Sequence, residues 1–70
     1  MTIRQLLDSC IAIEGNVKIK RWNYETDTEK ILYSTTCFNS NICGDFLYSR
    51  ITFMYPIEEN GQGWLIIEVE

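Results

Sequence analysis

Seventy residues, of which 46% are hydrophobic, 13% aromatic and 23% charged, suffice for one folded domain and are too apolar for a disordered chain. The net charge of −4 opposes a phosphate backbone, and runs such as Leu65-Ile66-Ile67 are far too short to cross a bilayer as a helix. A domain this small buries only about 60% of its unfolded surface, so its core is thin and gains from a partner.

The opening segment predicts a helix. Thr2 and Gln5 form a T-x-x-Q capping box, which satisfies free backbone donors at a helix start. Ile3, Leu6, Leu7, Cys10 and Ile11 then recur at helical spacing and make one apolar stripe, with Arg4, Gln5, Asp8 and Ser9 on the wet side. Gly15-Asn16 ends the region. Residues 17–24 begin with strict alternation, as a strand does: Val17 and Ile19 on one face, Lys18, Lys20, Trp22 and Tyr24 on the other. Residues 25–29 are polar and turn-like, and Lys30 to Phe38, rich in β-branched and aromatic residues, predicts the second strand of a hairpin.

Asn39-Ser40-Asn41 reads as a loop, after which Ile42, Phe46 and Leu47 form one apolar face of a short helix interrupted by Gly44. A third strand, Arg50 to Tyr55, is expected to stop at Pro56. Asn60-Gly61 suits a turn with positive φ, and Trp64 to Glu70 alternates Leu65, Ile67 and Val69 against Trp64, Ile66, Glu68 and Glu70. The expected fold is a single α+β domain, residues 1–70, in the order α-β-β-short α-β-β. Its N-terminal helix packs on a mainly antiparallel four-stranded sheet in two layers, covering Val17, Ile19, Ile51, Phe53, Leu65, Ile67 and Val69. Sequential strand order is the simplest expectation.

The Thr2-Ile3-Arg4-Gln5-Leu6-Leu7 opening, the Val17 to Tyr24 strand and the closing Ile66-Ile67-Glu68-Val69 strand resemble small proteins carried by phages and conjugative elements of Gram-positive gut bacteria. The resemblance spans most of the chain as a pattern of elements and transfers no functional residue. It implies a bacterial host cell and a setting in which such proteins include inhibitors of host defence systems, which act by binding.

Catalytic chemistry finds little support in the residues. The chain has no histidine, so the commonest general base at neutral pH is missing. Its three cysteines, Cys10, Cys37 and Cys43, lack paired metal-ligand spacing and an activating base. With no secretory signal pattern at the N-terminus, they are expected to stay reduced in a cytoplasmic setting, buried as small apolar residues, with no metal and no cofactor.

Binding is the better expectation. Residues 1–24 carry a net charge of +2 and residues 25–70 a net of −6. Lys18, Lys20, Arg21 and Trp22 could form a single-strand nucleic-acid platform, the second reading, yet the acidic total argues against it. On the face away from the helix, parity gathers Trp22, Tyr24, Met54, Trp64 and Ile66 among Lys18, Lys20 and Glu68, residue types suited to a protein contact. Trp22, Tyr24 and Trp64 are expected close together there and partly exposed, unless a bulge near Arg21 reverses the side chains or the loops bury them as a second small core. A homodimer through this face would enlarge the thin core.

Overall fold

The computed structural model describes residues 1–9, 13–39 and 41–70. Helix α1 spans Ile3–Asp8, strands β1 and β2 span Val17–Asn23 and Thr28–Thr35, a single 3₁₀ turn covers Asp45–Tyr48, and β3 and β4 span Ile51–Glu59 and Gln62–Val69. The α+β order is the expected one, with one helix on a four-stranded sheet. Cys10, Ile11 and Ser40, assigned above to the helix stripe and a loop, lie outside the described residues.

The capping box forms as its sequence predicts. Thr2 Oγ1 accepts from the Gln5 backbone N–H at 3.2 Å, and the Thr2 N–H donates to Gln5 Oε1 at 2.9 Å. Ile3 and Leu6 are buried, while Arg4 pairs with Asp8 one turn on along the wet side. Arg4's hydrogen bond holds the Asp8 carboxyl below its ordinary range. The start of the chain is pinned to the sheet by the Ile51 N–H, which donates to the Met1 carbonyl at 2.8 Å.

Both hairpins form, but the sheet that joins them is mixed. Strand order is β2-β1-β4-β3, with β1 and β4 paired parallel in the centre, in place of a sequential antiparallel order. The physical reason lies in segment 36–50, longer than the roughly twelve residues that a crossover between parallel strands requires. The two most buried strands, β1 and β4, take the middle, although the edge strand β3 is the more apolar of β1 and β3 by composition. Ile66 and Ile67 are both fully buried though they face opposite sides, Ile67 in the core under α1 and Ile66 between its register neighbours on the outer face. β3, left at the edge, continues through Pro56 instead of stopping there, because an edge strand has one side free of ladder bonds. Asn60 (φ 53°) and Gly61 (φ 77°) make the two-residue turn into β4, the left-handed pair that matches hairpin twist.

Two bulges set the side-chain parity. β2 carries Leu32 as an extra residue opposite the Ile19/Lys20 step, and β3 carries Thr52 between Ile51, paired with Val69, and Phe53, paired with Glu68. The second bulge reverses the expected assignment of β3. Met54 pairs with Ile67 on the helix side, and Phe53 turns to the outer face, 64% exposed.

The core lies on the helix side: Ile3 and Leu6 of α1, Val17 and Ile19 of β1, Ile67 and Val69 of β4, closed by Phe38, Ile42 and Leu47 from segment 36–50. The expected short helix is reduced to the 3₁₀ turn because Gly44, at φ 150°, breaks the chain before it; Leu47 still buries its side chain. Tyr33 stacks on Phe46, centroids 5.8 Å apart, and meets Phe38 edge-on at 6.5 Å, extending the core over β2. Cys37 and Cys43 are exposed, against the expectation of burial; in each case a larger neighbour, Phe38 or Ile42, takes the inward position.

Candidate functional site

Register places Lys18, Lys20 and Trp22 of β1, Trp64, Ile66 and Glu68 of β4, and Phe53, Tyr55, Ile57 and Glu59 of β3 on the face away from α1. Among the described residues, the helix and the 3₁₀ turn both lie on the core side, so this outer face has no second layer over it. The molecule is correspondingly flat, 34 × 31 × 17 Å.

The two ends of this face differ. At the Trp64 end the side chains cover one another. Ile66 is fully buried between its register neighbours Lys18 and Tyr55, which removes it from any contact surface and stabilises the fold by about 2 kcal/mol. The Lys18 ammonium sits 4.6 Å from the Trp64 ring centroid and 2.6 Å from Glu59 Oε2. Lys18 thereby holds the Glu59 carboxyl below its ordinary range. A shallow groove of about 420 Å³ beside Trp64 runs between Glu14, Gly15, Pro56 and Gly63.

The Trp22 end is open. Trp22 and Tyr24 meet edge to face with centroids 6.5 Å apart. Tyr24, in the turn after β1, is 84% exposed. With Phe53 they wall a groove of about 260 Å³ whose polar rim is Glu29, Glu68 and Glu70. The Lys20 ammonium lies 3.2 Å from Glu29, and Glu70 pairs with Arg50. Glu68 belongs to none of the four ion pairs among the described residues, although Lys20 is its register neighbour on β1. Burial first, then the Glu68 and Glu29 carboxylates, push the Tyr55 hydroxyl above its ordinary range.

The residues that parity gathered are therefore divided. Trp22 and Tyr24 come together on the outer face, while Trp64 stands six residues back along the register, about 20 Å away at the rise of a strand. Ile66 is on the expected face but buried, and Met54 is on the other face. Lys18 and Lys20 are half-buried and ion-paired. Phe53 was missed as a surface residue. Nothing in Arg50 to Tyr55 (no glycine, no turn residue) announces the bulge that turns it outward.

The cations of the nucleic-acid reading are largely engaged within the molecule. Beyond the two lysines, Arg21 donates from Nε to the Glu70 carbonyl at 2.9 Å and from Nη2 to Ser49 Oγ at 2.8 Å. Behind the Trp22 and Tyr24 wall, a second groove of about 400 Å³ is lined by Arg21, Glu25 and Lys30. No group of three or more metal-ligating side chains is assembled among the described residues, and no helix there is long and apolar enough to cross a membrane. Comparison with known proteins finds no matching family model, no matching curated protein and no matching solved structure.

Proposed function

We propose that this chain is a small non-catalytic binding protein that engages a protein partner through the open Trp22 end of its outer sheet face. The observation that carries this reading is the uncovered aromatic set there: Tyr24 and Phe53 are 84% and 64% exposed beside Trp22, around one groove. Exposed aromatic side chains grouped on a rigid sheet are the anchors from which protein interfaces draw most of their energy. The absence of histidine from the chain supports a role without catalysis. In the phage or mobile-element setting that the sequence resembles, such a contact would serve to inhibit a bacterial defence protein in the host cytoplasm.

Affinity capture from a bacterial host lysate tests this, with wild type, W22A and F53A as baits and nuclease treatment in parallel. A protein held by wild type, lost from both variants and indifferent to nuclease and moderate salt is the expected result. Recovery that disappears with nuclease would instead favour a nucleic-acid contact through Lys18, Lys20, Arg21 and Trp22. Self-association of the bait, lost in both variants, would identify the partner as a second copy.

A further inference from the structure

The outer face contains one constellation twice, once filled and once open. At the Trp64 end, the Lys18 ammonium lies between an aromatic ring, 4.6 Å from its centroid, and the Glu59 carboxylate, 2.6 Å away. At the Trp22 end, the rings of Trp22, Tyr24 and Phe53 and the carboxylate of Glu68 line one groove, and no cation lines it with them. The other two carboxylates at its rim, Glu29 and Glu70, already have Lys20 and Arg50, but Glu68 has none among the described residues.

We propose that this groove receives a cationic side chain, arginine or lysine, from the partner protein, with the aromatic rings against its charged head and Glu68 as its counter-ion. The inference rests on the protein-binding reading above and names the chemistry that the site selects. Three observations carry it. Aromatic faces attract cations, and more strongly where water is partly excluded, as in a groove of about 260 Å³. Every charged side chain lining the groove is a carboxylate, and that of Glu68 has no ion-pair partner among the described residues, so a cation entering it meets complementary charge and an anion does not. The Tyr55 hydroxyl, raised first by burial, is raised further by the Glu68 and Glu29 carboxylates, in keeping with negative charge on this face.

The experiment is a titration of the intact protein with N-acetyl-arginine methylamide, followed by the Trp22 indole N–H in nuclear magnetic resonance spectra. N-acetyl-lysine methylamide and the uncharged N-acetyl-norleucine methylamide serve as the other arms. Both cationic probes are expected to move the Trp22 signal and to leave Trp64, already occupied by Lys18, in place; the norleucine probe is expected to move neither. Glu68→Gln should weaken the cationic probes about fivefold, the scale of one partly exposed ion pair. Added salt should weaken them in the wild type, which reads the same contact without a substitution. Equal shifts from norleucine and arginine, or an affinity unchanged by both Glu68→Gln and salt, would overturn the proposal. If W22A loses the captured partner while no cationic probe moves Trp22, the protein-binding reading stands and the cationic occupant is wrong. If the probes bind as expected but W22A and F53A keep every partner, the groove is a cation site and the protein-binding reading fails.

Discussion

Lys18 and Trp64 are locked together, the ammonium 4.6 Å from the ring centroid with Glu59 closing the other side. That contact separates the two tryptophans into different roles. Trp64 belongs to the self-covered end of the outer face, beside buried Ile66, and Trp22 belongs to the open end.

Truncating them should therefore have opposite effects. Trp64→Ala is expected to destabilise the fold by about 2 kcal/mol, through lost packing and the loss of the ring that Lys18 covers. Trp22→Ala should change stability by less than about 1 kcal/mol while weakening partner binding by about 2 kcal/mol or more. Chemical melts paired with binding measurements on both variants check this. A Trp22→Ala protein that melts like the Trp64 variant would show that Trp22 supports the fold.

Gly44 is expected to tolerate no side chain. A Cβ added there would run into the Phe46 ring, and its φ of 150° is unfavourable for any L-residue. Gly44→Ala should destabilise by about 2 kcal/mol or more and disturb the Tyr33 and Phe46 stack. Near-ultraviolet circular dichroism and thermal melts read both effects together.

Gly61 provides the matching control, since a Cβ there meets nothing within 4 Å and only its φ of 77° resists substitution. Gly61→Ala should lower stability by about 1 kcal/mol through backbone strain alone, with the β3 to β4 register intact. Asn60→Gly, at the other left-handed position, should be close to neutral. Amide exchange across the hairpin would distinguish this from a register slip, which would expose Ile67.

The Tyr55 hydroxyl is expected to ionise above the ordinary tyrosine value as pH rises. Its folded value lies above the ordinary 10.0, first because of burial and then because of Glu68 and Glu29. A group whose folded value is raised contributes stability that is fully present below the unfolded value. That contribution is lost as pH climbs through the folded one, so the fold should weaken above pH 10.0. Glu68→Gln should lower the Tyr55 value part of the way, leaving the share due to burial. Tyrosinate absorbance of wild type, Tyr55→Phe and Glu68→Gln across alkaline pH provides the measurement.

Much of this architecture is local and was legible as such. The Thr2 and Gln5 cap, the Ile3 and Leu6 stripe and the Asn60-Gly61 turn each depend on residues within a few positions of one another. Strict alternation likewise put Val17, Ile19, Ile67 and Val69 in the core and sent Trp22 and Trp64 to the opposite face. The candidate site was half visible for the same reason: Trp22 and Tyr24 follow the parity of β1, while Phe53 does not follow the parity expected of β3.

What the tertiary structure alone decided is the set of relationships across long stretches of chain. Parallel pairing of β1 with β4, the bulge at Thr52, the capture of Lys18 by Glu59 and Trp64, and the exposure of Cys37 and Cys43 all depend on which segments become neighbours. A residue's local pattern reports its own periodicity and its own turn chemistry. Register between strands is settled by the summed burial of both, and one inserted residue inverts every side chain beyond it without altering the composition of the strand. For that reason the helix and hairpins could be read from the amino acids, while the identity of the open aromatic groove had to wait for the sheet.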